Sequence, residues 1–242
     1  MSEPVHKVSI VVPVYNEEST LAKIVERVLA VEMPSDPASG RPVAREVILV
    51  DDGSHDASAD IATKLSEKHP EVRVFINPEN HGKGYALRTG FAQVTGDIIL
   101  VQDADLEYDP SDYPTLLEPI LSGKADVVYG SRVLGPGPQG TWMFYLGGRL
   151  VSLATNVLFG SDITDEPTCY KVFRRSVLDR FELTCTGFEF CPEFTAKALR
   201  AGFAIHEVPI HYDPRSAAEG KKISWVDGIE AIWTLLRCRL SR

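Results

Sequence analysis

Five short runs of aliphatic residues alternate with segments of helical periodicity over the first 130 residues of the chain. The runs occupy residues 8–14, 46–50, 72–76, 98–102 and 126–129, and helices are predicted at 19–31, from just after 54 to 68, at 83–94 and at 112–121. Strands without polar alternation must be buried on both faces, and the intervening helices supply the cover. The pattern predicts an α/β fold with a Rossmann-like, mostly parallel sheet flanked by helices.

Three of the predicted strands end in polar clusters. Residues 13–17 read Pro-Val-Tyr-Asn-Glu, residues 51–54 read Asp-Asp-Gly-Ser, and residues 103–105 read Asp-Ala-Asp. In open parallel sheets, ligands bind at the carboxyl ends of the strands, and those ends meet at one edge. The sequence therefore predicts a single binding site built from these clusters.

The fourth run is followed by acidic residues at alternate positions, Asp103, Asp105 and Glu107. Side chains two apart on extended backbone point the same way, so these carboxylates are expected to converge. A charged loop tip is the simpler interpretation, but like charges repel at a crowded sheet edge unless a cation joins them. Hard oxygen ligands favour Mg²⁺ or Mn²⁺, and such an ion suits a diphosphate leaving group.

The two earlier clusters are predicted to bind a nucleotide. Pro13, Tyr15 and Glu17 suit a strand-to-helix turn as well, with Glu17 favoured by the helix dipole. Asp51 and Asp52 can cap a helix, but two adjacent carboxylates exceed what capping needs. A carboxylate accepts hydrogen bonds from a base and from ribose hydroxyls, so nucleoside recognition is the preferred role of this pair.

A glycine-rich segment at 80–84, Asn-His-Gly-Lys-Gly, precedes the third helix. It lacks the Gly-Lys-Ser/Thr ending of a phosphate-binding P-loop, so a plain loop with a solvated Lys83 is the alternative. Its glycines allow close approach of the backbone to a ligand. Lys83 is predicted to approach the phosphates or the base of the bound nucleotide.

Composition excludes several classes of protein. The formal net charge of −9 argues against general nucleic-acid binding, which depends on basic surface. The four cysteines have no CxxC spacing and no histidine partners, which predicts reduced, mostly buried thiols in a cytoplasmic protein. No signal peptide is recognised, and polar residues interrupt 142–159, so no transmembrane segment is predicted. Nothing in the sequence indicates an oligomeric state.

The second half has a different pattern. A loop is predicted at 134–141, strands at 169–173 and 204–210, and helices at 192–200 and 225–239. The apolar stripe of the last helix (Trp225, Ile229, Ile232, Leu236 and Leu240) is predicted to pack in the core. Arg237, Arg239 and Arg242 beside it leave contact with anionic lipid headgroups open.

Residues 127–161 contain Arg132 and Arg149 but no acidic residue, in a chain that is acidic overall. A lone arginine is usually a surface cation, yet this local bias indicates an anion site. The forked donors of arginine match phosphate oxygens, whereas lysine offers a point charge. The sequence thus joins a carboxylate cluster and a cationic region.

The order of these motifs resembles family 2 glycosyltransferases, and the later ones resemble their dolichol-phosphate mannose synthase branch, a group of polyprenyl-phosphate glycosyltransferases. The resemblance covers nearly the whole chain. It is carried by Val-Pro-Val-Tyr-Asn-Glu at 12–17, Val-Asp-Asp-Gly-Ser at 50–54, Asn-His-Gly-Lys-Gly at 80–84, Asp-Ala-Asp at 103–105, Gly-Ser-Arg at 130–132, Gly-Gly-Arg at 147–149, Asp-Glu-Pro-Thr-Cys-Tyr-Lys at 165–171, Glu-Val-Pro-Ile at 207–210, Arg215 and Lys222.

The resemblance implies a single GT-A domain over 1–242, with a nucleotide-sugar-binding half at 1–131 and an acceptor-side half with C-terminal helices at 132–242. It implies metal-dependent, inverting hexose transfer from a nucleotide sugar, GDP-mannose or else UDP-glucose, to polyprenyl phosphate at the membrane surface. Its matching positions place the base contact on Asp52 and assign the metal to Asp103, Asp105 and Glu107. They assign donor diphosphate and acceptor phosphate to Arg132, Arg149, Arg215 and Lys222.

Two departures and three alternatives accompany the resemblance. Many relatives carry C-terminal transmembrane helices, and the usual Ser/Thr-Gly-Phe reads Thr-Cys-Tyr at 168–170.

A hydroxyl acceptor would instead need a general base, with Asp165, Glu189 and Glu193 as candidates. A nucleotidyltransferase would carry a glycine-rich, lysine-bearing segment after the first strand, which is absent at 13–17. A non-catalytic nucleotide-sugar-binding scaffold is the third alternative.

Overall fold

The computed structural model describes residues 5–136, 142–215 and 225–241, with residue 225 described by its backbone only. Its seven-stranded sheet has the strand order β3-β2-β1-β4-β6-β5-β7. The strands are β1 Lys7–Val14, β2 Ala44–Asp52, β3 Val72–Asn77, β4 Ile98–Val101, β5 Val127–Ser131, β6 Lys171–Arg174 and β7 Ile205–Pro209. Strand β6 runs antiparallel to both β4 and β5, and all other pairs are parallel. The predicted mostly parallel sheet is confirmed.

Seven α-helices are described. They are α1 Leu21–Ala30, α2 Ser58–Lys68, α3 Lys83–Phe91, α4 Tyr113–Leu121, α5 Trp142–Phe159, α6 Phe190–Arg200 and α7 Trp225–Leu240. Short 3₁₀ turns at Pro110–Asp112 and Arg175–Arg180 complete the described elements. The segment rejected as a membrane span is helix α5. Among the helices that the structure describes, none has the length and apolar character needed to cross a bilayer.

The centre of the sheet is buried on both faces, as its unbroken apolar strands require. Val47, Ile48, Leu49 and Val50 of β2 are all fully buried. Burying one such side chain contributes about 1.5–3 kcal/mol, so these strands anchor the edge that carries the polar clusters. Helix α3 lies close over β1, because a Cβ at Gly90 would collide with the side chain of Val11.

The ends of several elements differ from the sequence-based prediction. Strand β2 extends through Asp51 and Asp52, which therefore belong to the strand and not to the turn after it. Helix α3 stops at Phe91, three residues before the predicted end, and strand β6 starts at Lys171, two residues after its predicted start. Each difference is at the end of an element, where a local sequence pattern is least precise.

The prediction that the apolar stripe of the last helix packs in the core is wrong. Ile229 is 59% exposed and Leu240 is 81% exposed. Helix α7 instead packs against α5 and α6 through a neighbouring stripe of side chains: Ala231, Thr234, Leu235 and Cys238. The stripes lie side by side on the helix, so periodicity alone cannot tell which one faces the protein. Arg242 lies outside the described residues.

All four cysteines are free thiols, and Cys169, Cys185 and Cys238 are buried while Cys191 is half-buried. This agrees with the predicted reduced, mostly buried state.

Candidate active site

A cavity of about 820 Å³ lies at the carboxyl ends of β1, β2 and β4 and extends between α5 and α7. Its wall contains most of the side chains predicted from the sequence: Pro13, Tyr15, Glu17, Asp52, Lys83, Asp103, Asp105, Glu107, Arg132, Arg149 and Arg215. Asp51 does not line it, because neighbouring residues of a strand point to opposite faces. Lys222 and residues 137–141 of the predicted loop lie outside the described residues.

Asp103 forms an ion pair with Lys83 across the floor of the cavity. Lys83 Nζ lies 2.5 Å from Asp103 Oδ1, and both side chains are less than one-fifth exposed. Burial favours the neutral form of each group, but the opposite charge of the partner outweighs it. The pKa of Lys83 is raised well above its ordinary value, and the pKa of Asp103 is lowered. Lys83, which was predicted from the sequence to contact a ligand, thus neutralises Asp103.

Asp105 is held by Arg215 at the other side of the same cluster. Arg215 Nη2 donates to Asp105 Oδ2 at 2.6 Å, and Nη1 lies 3.2 Å from Glu17 Oε2. Burial and the nearby charge of Asp103 raise the pKa of Asp105 to about 7, although Arg215 opposes the rise. Glu17 at the end of β1 and Asp105 at the end of β4 therefore share one guanidinium.

Glu107 faces residues 212–215 and not the pair of aspartates. Its Oε1 accepts a hydrogen bond from the backbone N–H of Arg215 at 2.7 Å, and its Oε2 accepts one from the Tyr212 hydroxyl at 3.2 Å. Its role as a third metal ligand stays a prediction. Tyr212 was not singled out from the sequence, since an isolated tyrosine in a loop carries no pattern.

The donor set at the end of β4 fits a divalent ion. In the described part of the chain, no three His, Cys, Asp or Glu side chains come together as a metal-binding group. Mg²⁺, however, is commonly held by one or two carboxylates together with substrate phosphates and waters. Asp103 and Asp105 supply such a pair. The pKa of Asp105 is raised partly by the negative charges of Asp103 and Glu107, and a bound cation would offset this repulsion.

Asp52 organises the glycine-rich loop from below. Its Oδ2 accepts hydrogen bonds from the backbone N–H groups of His81 at 3.0 Å and Gly82 at 2.6 Å, and its Oδ1 accepts one from Asn77 at 2.8 Å. Asp52 therefore supports this loop and also lines the cavity. The predicted contact of Asp52 with a base stays a prediction.

Arg132, just after β5, is clamped by Asp165. Asp165 Oδ2 accepts hydrogen bonds from the backbone N–H of Arg132 at 2.9 Å and from its Nε at 2.8 Å, while Oδ1 accepts one from Nη2 at 2.7 Å. Burial raises the pKa of Asp165, but Arg132 outweighs it and the pKa is lowered. These paired hydrogen bonds fix one edge of the Arg132 guanidinium. Its Cζ lies over the Tyr212 ring, 5.1 Å from the ring centroid.

The segment that carries Asp165 is fixed in turn by Glu207 of β7. The two carboxylate oxygens of Glu207 accept the backbone N–H groups of Thr164 at 2.7 Å and Asp165 at 2.9 Å. Arg149 of α5 donates from Nη1 to the Thr164 carbonyl at 2.8 Å. The resemblance contained Arg149, Asp165 and Glu207, but their mutual contacts could not be read from it.

The three candidate general bases all have structural partners. Besides the clamp formed by Asp165, Glu189 accepts the backbone N–H groups of Thr186 at 2.7 Å and Gly187 at 2.9 Å. Glu193 is buried and accepts hydrogen bonds from Thr184, Cys185 and Lys197. Burial raises the pKa of Glu193, yet these bonds outweigh it and bring the pKa to about 2. A carboxylate with so low a pKa is a poor base at neutral pH.

Comparison with known sequences identifies the family. The family model named Glycosyl transferase family 2 matches residues 9–181, well over half of the chain. The chain belongs to glycosyl transferase family 2. The predicted resemblance is thereby confirmed.

Curated relatives of this family 2 protein include lipid-phosphate glycosyltransferases. An undecaprenyl-phosphate 4-deoxy-4-formamido-L-arabinose transferase of Enterobacter sp. is 31% identical over 245 residues, covering 98% of this chain and 68% of the relative. A dolichol-phosphate mannosyltransferase of Pyrococcus furiosus is 31% identical, covering 89% and 59%. A low-salt glycan biosynthesis hexosyltransferase of Haloferax volcanii is 33% identical, covering 91% and 51%. The chain thus spans about half to two thirds of these relatives.

Solved structures confirm the GT-A fold. Glucosyl-3-phosphoglycerate synthase of Mycobacterium tuberculosis superposes with a TM-score of 0.73 at 22% identity, covering 98% of this chain and 82% of that one. The same enzyme, in complex with Mn²⁺, UDP and phosphoglyceric acid, gives a TM-score of 0.73 at 21% identity, covering 98% and 80%. At this identity the likeness establishes the fold and nothing further about ligands.

Proposed function

We propose that this family 2 glycosyltransferase transfers a hexose from a nucleoside diphosphate sugar to a polyprenyl phosphate, with inversion and with Mg²⁺ or Mn²⁺. GDP-mannose is the favoured donor and UDP-glucose the second choice. The names of the relatives, which pair dolichol phosphate and undecaprenyl phosphate with sugar transfer, support this acceptor class. The observation that carries the proposal is one cavity that joins paired aspartates to a set of arginines.

The cavity residues have distinct tasks in this reaction. Asp103 and Asp105 would hold the divalent ion, which supplies Lewis-acid stabilisation to the departing diphosphate when bound. Pro13, Tyr15 and Asp52 lie in the wall where the nucleoside would bind. Arg132, Arg149 and Arg215 provide positive charge that brings the acceptor phosphate towards the anionic donor, because two anions do not approach one another unaided.

The state of the candidate bases supports a phosphate acceptor over a hydroxyl acceptor. A phosphate monoester is already ionised near neutral pH, so its oxygen attacks without a general base. Asp165 and Glu193 have lowered pKa values and are bound to Arg132 and Lys197. Transfer to a hydroxyl group would need one of these carboxylates to leave its partners. The hydroxyl acceptor remains the second candidate function.

A transfer assay tests the proposal. Purified protein is incubated with Mn²⁺, undecaprenyl phosphate and radiolabelled GDP-mannose or UDP-glucose, and labelled lipid is extracted. We expect labelled lipid with one of the donors, at least a hundredfold less with Asp105→Asn, and full activity with Asp179→Asn, a matched change at an exposed aspartate. Absence of labelled lipid from both donors, with label appearing in an oligosaccharide supplied in a parallel incubation, would overturn the proposed acceptor.

Peripheral attachment to the cytoplasmic face of a membrane forms part of the proposal. Helices α5 and α7 together present an apolar face that is exposed in the structure: Trp142, Met143, Leu146, Leu150, Leu153 and Val157 of α5, and Val226, Ile229, Trp233, Leu236 and Leu240 of α7. Monomeric proteins rarely expose apolar patches of this extent. The cavity opens between the same helices, lined by Phe144 and Ala231. A lipid-linked acceptor would therefore reach the site from the surface on which this face rests.

Vesicle binding tests this attachment. Exposed Arg237 and Arg239 on α7 add positive charge, so binding is expected to increase with anionic lipid. The protein should sediment with vesicles of phosphatidylcholine and phosphatidylglycerol, and Trp233→Glu should weaken this severalfold, whereas Lys64→Glu on α2 should not. Lack of sedimentation, together with a dimer in light scattering that Trp233→Glu dissociates, would assign the face to a second copy instead.

A further inference from the structure

The most heavily charged part of the cavity is the cluster around Arg215. Four carboxylates, those of Glu17, Asp103, Asp105 and Glu107, share two cations, Lys83 and Arg215. Arg215 reaches three of the four carboxylates, and its side chain is only 18% exposed. The proposed function needs Arg215 for phosphate and Asp105 for the metal ion, yet the structure has the two bound to each other.

We infer that Arg215 and the divalent ion are alternative occupants of one site, and that the guanidinium of Arg215 is the counter-ion of Asp105 until the ion arrives with the donor. The inference rests on the proposed function for the identity of the ion. It adds that the chain itself neutralises its metal site, and that filling the site releases Arg215 into the cavity.

The distances place the two occupants in competition at Asp105. Arg215 Nη2 lies 2.6 Å from Asp105 Oδ2, and the other oxygen, Oδ1, accepts the backbone N–H of Glu107 at 3.0 Å. An ion such as Mg²⁺ coordinates a carboxylate oxygen at about 2.0–2.1 Å and demands near-octahedral surroundings. A guanidinium so close to that oxygen would occupy a coordination position and repel the incoming charge.

At Asp105, only the side chain of Arg215 has to move for the exchange. Its backbone N–H is fixed to Glu107 Oε1 at 2.7 Å, and the backbone N–H of Asp213 is fixed to the Glu107 carbonyl at 2.9 Å. The guanidinium is less completely satisfied, because its buried Nε has no hydrogen-bond partner among the described residues. Buried donors are nearly always paired, so this orphan marks a position that the side chain can leave.

Glu17 is placed to keep the released arginine near the donor. Its backbone N–H donates to Ser58 Oγ at 2.8 Å, and its Oε2 accepts the Thr20 hydroxyl at 2.8 Å, so the carboxylate is anchored independently of Arg215. If the Arg215 guanidinium lost its contact with Asp105, its longer contacts with Glu17, at 3.2–3.4 Å, would still hold it near the cluster. The arrangement predicts that Arg215 becomes available to the acceptor phosphate after the donor and its metal ion have bound.

Metal binding without nucleotide tests the inference. Mn²⁺ alone is titrated calorimetrically into the wild-type protein, Arg215→Gln and Arg149→Gln. We expect Arg215→Gln to bind Mn²⁺ at least tenfold more tightly than the wild type, because the competing cation is gone. Arg149→Gln removes one positive charge from the same cavity without touching the carboxylates, so its affinity should stay within about threefold of the wild type.

Further variants make the result decisive. Arg215→Lys keeps a competing cation and should bind Mn²⁺ with an affinity between those of the wild type and Arg215→Gln. If Arg215→Gln does not fold, Arg215→Lys replaces it as the test variant. Adding Asp105→Asn to Arg215→Gln should abolish the gain. Metal-free Arg215→Gln should melt below the wild type, and Mn²⁺ should raise its melting temperature more than it raises that of the wild type.

The outcomes separate this inference from the proposed function. Equal Mn²⁺ affinity of Arg215→Gln and the wild type, an equal gain in Arg149→Gln, or absence of Mn²⁺ binding in every variant would overturn the inference. A selective gain in Arg215→Gln would support it even if polyprenyl phosphate proved not to be the acceptor, since the titration contains neither donor nor acceptor.

Discussion

Replacement of Asp165 by asparagine isolates the clamp that holds Arg132. The side chain of Asp165 is 4% exposed and that of Arg132 is 21% exposed, so the pair is largely shielded from water. Asparagine keeps the shape and one oxygen, which can still accept from the backbone N–H and Nε of Arg132. Its amide group, however, would face Nη2 with a donor where Oδ1 now accepts at 2.7 Å.

The expected loss of stability follows from this geometry. Removing one partner of a buried ion pair costs about 3–5 kcal/mol, because the remaining charge is left uncompensated. Since asparagine retains one acceptor, we expect the lower end, about 3 kcal/mol in the free energy of unfolding. For a domain of this size that corresponds to a melting temperature lower by roughly 6–12 °C.

Urea unfolding followed by circular dichroism measures the change, with Asp126→Asn as the matched control. Asp126 also pairs with an arginine, Arg174, at 3.2 Å, but its side chain is 55% exposed. Exposed pairs contribute about 0–1 kcal/mol, so this control should unfold almost like the wild type. Equal stability of the two variants would refute the account of the clamp. If Asp165→Asn lost all transfer without losing stability, Asp165 would be the base that the alternative reaction needs.

Three further predictions concern the site and its supports. Gly84→Ala should lower the melting temperature and weaken nucleotide binding, because its Cβ would lie 2.9 Å from the Gly187 carbonyl oxygen; Gly147→Ala, with open space around it, should not lower the melting temperature. The pKa of Glu193, about 2 against an ordinary 4.5, predicts stability that is present above pH 4.5 and lost as the pH falls towards 2. Glu193→Gln should therefore destabilise the protein by about 3 kcal/mol at pH 7 and by much less at pH 2–3 in urea titrations. EDTA should abolish transfer, and Mn²⁺ or Mg²⁺ should restore it while Ca²⁺ restores little, because the aspartate pair suits a small ion with several open positions.

The sequence was sufficient to predict the sheet, the edge that carries the site and most of the charged residues in the cavity wall. These features depend on local patterns: buried parallel strands lack polar alternation, and their carboxyl ends lie together. Asp103 and Asp105 were recognisable for this reason. Helix α5 was not identified as a helix, because glycines at 147 and 148 and scattered polar residues weaken its periodicity.

Pairings between distant residues were beyond what the sequence could show. Arg132 and Asp165 are 33 residues apart, and Arg215 and Asp105 are 110 apart, so no spacing rule connects them. The sequence predicted a metal ion as the counter-charge of the acidic cluster. The structure shows that Lys83 and Arg215 are also its counter-ions.

The family, the order of the strands along the chain and the chemistry available at their ends could all be predicted from the sequence, because each depends on residues that are neighbours in it. Which carboxylate faces which cation, and which stripe of α7 is buried, became known from the folded structure. Charge pairing and burial depend on the distances between segments that the fold brings together, and those distances are properties of the packed chain as a whole.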